Sequence, residues 1–139
     1  HNIAPSYAKE PLYLDEMLRG LKYNRKAKII WAHVGISRRI ELDNLREIAD
    51  RALKENKNLF FDISWLVFED YIAKSEKTLD QWASLIKKYP ERFMIGTDVV
   101  GHWTQYKANV EKYYALLDRL PSSVAQDICY GNILKLTHQ

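Results

Sequence analysis

"KAKIIWAHVGISRRIELDNLREIADRALKENKNLFFDIS", residues 26–64, decides the fold class of this 139-residue chain. The stretch begins with an apolar segment that ends at His33 and closes with a second apolar segment that ends near Asp62. Between them, apolar residues recur at helical spacing and predict one buried helix face, made of Leu42, Leu45, Ile48, Ala49 and Leu53. Strand, helix and strand in this order predict parallel strands joined by a helical crossover.

The same alternation continues on both sides of this stretch. Residues 9–24 predict a helix with Pro11 in its first turn, and residues 75–90 predict another with Thr78 as its N-cap and Pro90 at its end. Their inward-facing residues are predicted to be Leu14, Met17, Leu18 and Leu21 in the first, and Leu79, Trp82, Leu85 and Ile86 in the second. Residues 92–98 predict a third strand, residues 104–121 one long helix, and residues 122–136 two short helices. The chain is therefore predicted to be an α/β protein with three parallel strands.

Length, composition and charge argue against nucleic-acid-binding and membrane-spanning proteins. The length corresponds to one domain, 1–139, and 47% hydrophobic residues suffice for a core. The 21 basic and 18 acidic residues are interspersed, so no strongly basic face indicates nucleic-acid binding. We recognise neither an apolar run that could span a membrane nor a signal peptide, and we expect a cytoplasmic location. The single cysteine, Cys129, cannot form an internal disulfide.

Each predicted strand ends at polar residues. The first ends at His33, the second at Asp62 and Ser64, and the third at Thr97 and Asp98. Ligands of parallel α/β proteins bind at the carboxyl ends of the strands. One histidine and two carboxylates at one edge would suit zinc or a similar divalent ion, with a carboxylate accepting a proton from water.

Structural roles are the alternative for each of these residues. His33 could be a hydrogen-bonded core or turn histidine, Asp98 could cap the following helix, and Asp62 could accept hydrogen bonds from loop amides. The small residues Gly96 and Thr97 before Asp98 would let a ligand approach closely, which favours a chemical role for Asp98.

Four segments, "KIIWAHVG", "LFFDIS", "RFMIGTD" and "YGNILKL", together resemble the last strands and last helix of the amidohydrolase superfamily. They are most similar to its amidohydrolase-related branch, which includes aminocarboxymuconate semialdehyde decarboxylase. The resemblance implies a (β/α)8 barrel with one or two divalent metals, usually zinc. It extends from residue 11 onward and implies that residues 1–139 are the carboxy-terminal part of the barrel, with strands six to eight, because the His-x-His pair of the family's first strand is absent.

The resemblance also implies roles for individual residues. His33 matches the strand-six histidine, which contacts the metal-bound water or a second metal, and Asp98 matches the strand-eight aspartate, a metal ligand and the usual general base. His1 falls where the strand-five metal ligand would be. Asp62 is expected near the substrate, as are Arg38 and Arg39, which could clamp a carboxylate or could equally be solvent-facing loop residues.

From this resemblance we expect a fragment of a metal-dependent hydrolase that activates a metal-bound water to cleave an amide, ester or lactone of a small molecule. A non-oxidative decarboxylase of the same branch is one alternative, and a non-catalytic α/β binding module is another. The fragment alone is expected to be inactive and to hold zinc weakly or not at all. Its expected partner is the missing amino-terminal half of the barrel or a second copy of the chain, because three parallel strands leave apolar edges open.

Overall fold

A computed structural model describes residue 11, residues 13–37 and residues 41–137 of the chain. The helices in these ranges are α1 (Leu14–Tyr23), α2 (Leu45–Glu55), α3 (Glu76–Lys88), α4 (Tyr106–Glu111), α5 (Tyr114–Leu117), α6 (Ser122–Gln126) and α7 (Asn132–Thr137). The strands are β1 (Ile29–Trp31), β2 (Leu59–Asp62) and β3 (Phe93–Met94). Shorter helical turns cover Ala32–Gly35, Val67–Ile72, Trp103–Gln105 and Asp127–Gly131.

The three strands form one parallel sheet in the order β1-β2-β3. Ile29 pairs with Leu59, Trp31 with Phe61, and Phe61 in turn with Phe93. Helix α2 lies between β1 and β2 in sequence, and α3 between β2 and β3. The prediction of an α/β chain with three parallel strands is confirmed.

One face of the sheet is buried beneath helices. The rings of Trp31 and Phe61 lie 6.4 Å apart between centroids, and those of Phe61 and Phe93 lie 6.0 Å apart. All of the inward positions predicted for the helices α2 and α3 are buried, and those of α1 are buried or packed against the core. Leu42, however, lies before α2, which begins at Leu45 rather than at residue 41. Helical periodicity therefore located this part of the core correctly.

The other face of the sheet is partly open. Side chains alternate along a strand, and Ile30, Phe60 and Met94 lie on this second face. Phe60 and Met94 are buried, with the Arg92 guanidinium 4.8 Å from the centroid of the Phe60 ring, whereas Ile30 is 41% exposed. Parallel sheets are usually covered on both faces, so an exposed isoleucine on the first strand is unusual for this architecture.

Two further predicted helix starts are wrong. Ser75 rather than Thr78 is the N-cap of α3: the Ser75 Oγ accepts a hydrogen bond from the Thr78 N–H, and the Thr78 Oγ1 accepts one from the Ser75 N–H. This reciprocal capping satisfies two backbone donors at once. Pro11 lies before α1 rather than in its first turn, because Tyr13 adopts a left-handed backbone (φ 66°) and the helix begins at Leu14.

The single long helix predicted for residues 104–121 is also wrong. A 3₁₀ turn and the short helices α4 and α5 occupy this region. At the break, the N–H of Tyr113 donates to the Val110 carbonyl and the N–H of Leu116 donates to the Tyr113 carbonyl, both i→i−3 bonds. The two short helices predicted next are present as α6 and α7, joined by a π-helical turn. Within the described ranges, every helix is too short or too polar to cross a lipid bilayer.

Candidate functional site at the carboxyl ends of the strands

The structure brings together three of the residues singled out at the strand ends. The His33 Nδ1 lies 3.6 Å from the Asp62 Oδ2, and the His33 Nε2 lies 3.9 Å from the Asp98 Oδ2. The imidazole therefore stands between two carboxylates, one at the end of β2 and one in the loop after β3. The other three candidates, His1, Arg38 and Arg39, lie outside the described residues.

All three loops that follow the strands contain non-glycine residues with left-handed backbones. The φ angle is 55° at His33, 49° at Val34, 62° at Trp65 and 49° at Asp98. Such conformations cost on the order of 1–3 kcal/mol each and cluster at ligand sites and active sites. The β-branched Val34 is the most unfavourable of the four, so the loop that presents His33 is held in place by the surrounding structure.

Ser64 connects His33 to Asp62. Its Oγ donates a hydrogen bond of 2.6 Å to the Asp62 Oδ2 and lies 2.9 Å from the His33 Nδ1. The other oxygen of Asp62 accepts the backbone N–H of Ser64 at 2.9 Å. The alternative reading of Asp62, as an acceptor for loop amides, thus holds in the structure together with its place beside His33.

Asp98 does not cap a helix. The next helical turn begins at Trp103 with His102 as its N-cap, and no side chain caps it. The Asp98 side chain is 40% exposed, whereas that of His33 is 22% exposed. Asp98 therefore presents a carboxylate to solvent at the open side of the site.

Aromatic residues fix the position of this cluster. The Trp65 ring lies 5.1 Å from the His33 ring between centroids, at an interplanar angle of 60°. The buried Tyr113 hydroxyl lies 3.0 Å from the Ile63 carbonyl and 2.8 Å from the Gly96 carbonyl, so it joins the ends of β2 and β3. Burial, assisted by the nearby Asp62 charge, raises the pKa of Tyr113 and keeps its phenol neutral.

Gly96 lies against the carboxylate of Asp62. A Cβ added to Gly96 would be 3.1 Å from the Asp62 Oδ1 and 3.4 Å from the Ser64 Cβ. Any side chain at position 96 would therefore press on the Asp62 carboxylate and touch Ser64 at van der Waals distance. The sequence indicated close approach at Gly96, and the group that approaches is Asp62 of the same chain.

A cavity of about 380 Å³ opens beside the cluster. Its apolar part is formed by the open face of the sheet and the carboxy-terminal helices, and its polar end by the cluster. The lining residues that matter here are Ile30, Met94, Ile133, His33, Asp62 and Asp98. Cys129 also lines it, and burial raises the pKa of this thiol. The volume is within the range of small-molecule sites.

The donor chemistry of the cluster fits part of a divalent-metal site. An imidazole nitrogen and a carboxylate oxygen are ligands that zinc accepts, and here they converge from two loops. Among residues 11, 13–37 and 41–137, no three His, Cys, Asp or Glu side chains are arranged to hold a metal ion. The zinc and metal-ligand assignments of His33 and Asp98 stay predictions, as does that of His1.

Comparisons with known proteins found no match, whether to family models, to curated proteins or to solved structures.

Three residues of the site were not assigned a role from sequence. Ser64 lies at the end of its predicted strand, and its spacing of two from Asp62 indicates that both side chains point to the same side. Trp65 carried no sequence signal for a contact with His33. Tyr113 sits in a segment that looked like ordinary amphipathic helix, and nothing in its spacing distinguishes it from its neighbour Tyr114.

Proposed function

We propose that this chain is the carboxy-terminal part of a (β/α)8 barrel of the amidohydrolase superfamily, and that the whole protein is a metal-dependent hydrolase of an amide, ester or lactone. The observation that carries the proposal is the placement of His33 between Asp62 and Asp98, at the carboxyl ends of three consecutive parallel strands. Chemistry on (β/α)8 barrels occurs at this end of the strands.

The sheet itself supports a barrel origin. The strands neighbour one another in sequence order, as strands six to eight of a barrel do. The face that carries Ile30 and Met94 would be the barrel interior, where layers of apolar side chains from the remaining strands would cover it. In that assembly the exposure of Ile30 and the cavity beside the cluster would be reduced.

The residues have distinct roles in this proposal. Asp98, exposed at the rim, accepts the proton of the attacking water. His33 uses its Nε2 to orient that water or, in the form that carries the hydrogen on Nε2, to polarise the scissile carbonyl. Asp62 holds His33 in position through Ser64. A divalent ion, when bound at His33 and Asp98 with further ligands, supplies Lewis-acid polarisation and makes water a stronger nucleophile at neutral pH.

The test uses the protein encoded by the whole reading frame that contains residues 1–139. Zinc content would be measured by mass spectrometry, and hydrolysis would be measured on aryl esters, simple lactones and cyclic amides. Asp98→Asn and His33→Ala should each lower turnover by about 10²–10⁴-fold, the usual contribution of an acid–base group. Asp118→Asn is the matched control, because Asp118 lies at the end of α5, outside the site.

Three outcomes would contradict the proposal. One is a variant of His33 or Asp98 that retains more than about a tenth of wild-type turnover. Another is release of carbon dioxide from aromatic or unsaturated acids without hydrolysis of any substrate, which would indicate the related decarboxylase. The last is a full-length protein with no zinc and no activity, which would favour a non-catalytic binding module.

A further inference from the structure

We propose that Asp62 and Ser64 form a two-residue relay that fixes the tautomer of His33, with the proton on Nδ1 and the lone pair on Nε2. Asp62 and Ser64 are positioning residues in this inference, since both act through His33. The tautomer follows from hydrogen bonds within the chain. Its value for catalysis rests on the proposed function, because only there does Nε2 meet water or a metal.

The number of hydrogens available decides the direction of the relay. A serine hydroxyl has one hydrogen, and an ionised carboxylate has none. The hydroxyl of Ser64 donates that hydrogen to the Asp62 Oδ2 at 2.6 Å. The contact of 2.9 Å between Ser64 Oγ and His33 Nδ1 is then a hydrogen bond only if Nδ1 is the donor. A neutral imidazole with its hydrogen on Nδ1 has its lone pair on Nε2.

The opposite direction would leave one contact unmade. If Ser64 donated to Nδ1, its oxygen would face the Asp62 carboxylate at 2.6 Å with no hydrogen between them. Asp62 cannot accept a hydrogen bond from the His33 Nδ1 directly, because its Oδ2 lies 3.6 Å from that nitrogen, which is too long for a hydrogen bond. Ser64 is therefore required for the connection.

The surroundings hold the relay in this arrangement. The Asp62 Oδ1 accepts the Ser64 backbone N–H, which fixes the rotation of the carboxylate. Trp65 packs against the imidazole, and the left-handed backbone of His33 directs its ring to the cluster. As a result, the His33 Nε2 lies 3.9 Å from the Asp98 Oδ2. This distance is too long for a direct hydrogen bond, so the lone pair of Nε2 is available to another group.

This arrangement corresponds to a general feature of metal-binding histidines. Their second ring nitrogen usually donates to a carboxylate or carbonyl, which fixes the tautomer and makes the ligating nitrogen more basic. Here a serine hydroxyl stands between the imidazole and the carboxylate. The relay prepares Nε2 to act as a ligand or as a hydrogen-bond acceptor for water.

The tautomer can be read directly by long-range proton–nitrogen correlation spectra of ¹⁵N-labelled protein above pH 8. In each neutral ring the protonated and unprotonated nitrogens resonate far apart, and the signals of His33 among the four histidines are identified by their loss in His33→Gln. We expect the form with hydrogen on Nδ1 to predominate in the wild-type protein. A predominant form with hydrogen on Nε2 would overturn the proposal without any variant.

Asp62→Asn tests the direction of the relay. The amide oxygen should take the position that accepts the Ser64 N–H, so the amide NH₂ faces the Ser64 hydroxyl and donates to it. Ser64 then donates to Nδ1, and the predominant His33 form should switch to the one with hydrogen on Nε2. Ser64→Thr keeps the hydroxyl and should leave the tautomer unchanged, as should the surface variant Asp118→Asn.

An unchanged tautomer in Asp62→Asn, with amide spectra that show a folded protein, would refute the relay. These readouts need no substrate and no metal. A failed hydrolase assay therefore leaves the tautomer result intact, and a failed tautomer result leaves the assay of Asp98 intact.

Discussion

Tyr113→Phe removes a single oxygen from the point where two strand ends meet. Tyr113 is only 3% exposed, and its hydroxyl contacts the carbonyls of Ile63 and Gly96. Phenylalanine keeps the ring and its contact with Phe68, whose centroid lies 4.2 Å away. The variant therefore tests the hydroxyl alone.

The expected loss of stability follows from the carbonyls that lose their hydrogen-bond donor when the hydroxyl is removed. Its hydrogen bond contributes about 0.5–1.5 kcal/mol, and a buried carbonyl without a partner costs about 1–3 kcal/mol. Because water has little access to Tyr113, we expect the free energy of unfolding to fall by about 2 kcal/mol. With a urea slope of about 2 kcal/mol per molar, the unfolding midpoint should fall by about 1 M.

The assay is urea unfolding followed by circular dichroism, with Tyr114→Phe as the control. Tyr114 is the adjacent residue and is 56% exposed, so its variant should remain within about 0.5 kcal/mol of the wild-type protein. If Tyr113→Phe is as stable as Tyr114→Phe, at an unchanged slope, the hydroxyl does not hold β2 and β3 together and the reasoning fails.

Further predictions concern pH, metal, assembly and the cysteine. Because the pKa of Tyr113 is raised above its ordinary value of 10.0, its contribution to stability is complete below that pH and is lost as pH rises above it. Between about pH 8 and pH 11, the urea midpoint should thus fall less steeply with pH for Tyr113→Phe than for the wild type. The same dependence of the midpoint on pH in both proteins would contradict this. Residues 1–139 should bind zinc weakly or not at all by calorimetry, because the proposed ligands His33, Asp98 and His1 are fewer than the four of a closed tetrahedral site; one tight zinc per chain would mean that further ligands exist. The open sheet face around Ile30 should cause association at micromolar concentration, and a sedimentation profile of a 16.4 kDa monomer that binds no hydrophobic dye would refute it. Burial raises the pKa of the Cys129 thiol. Because the thiolate is the reactive form, iodoacetamide at neutral pH should alkylate Cys129 several-fold more slowly than it alkylates the thiol of glutathione. Equal alkylation rates would argue against the burial of Cys129.

Local pattern was sufficient for the order of elements and for much of the core. The apolar spacing of Leu45, Ile48 and Leu53 repeats every three to four residues, which only a helix turns into one face. The short apolar runs before His33 and Asp62 are bounded and too short for helices, so strands were the remaining choice. Parallel pairing followed from the helices between them, and this pairing put His33, Asp62 and Asp98 at one edge.

Capping and helix continuity were not predictable with the same accuracy. Both Ser75 and Thr78 are good N-cap residues, and the choice between them depends on which one adopts an extended backbone. The break between α4 and α5 lies at Tyr113, whose hydroxyl partners are 50 and 17 residues away along the chain. A periodicity within one segment contains no information about contacts of that kind.

The sequence by itself determined the α/β class, the three parallel strands and the polar residues at their ends, because each of these depends on spacing along the chain. Only the tertiary structure decided that Ser64 stands between His33 and Asp62, that Tyr113 joins two strand ends, and that the sheet face of Ile30 is open. The first two features depend on distances of about 3 Å between atoms from different segments. The third depends on whether any other segment covers Ile30, which is 41% exposed. Such contacts are properties of the packed chain, and no local pattern of residue types specifies them.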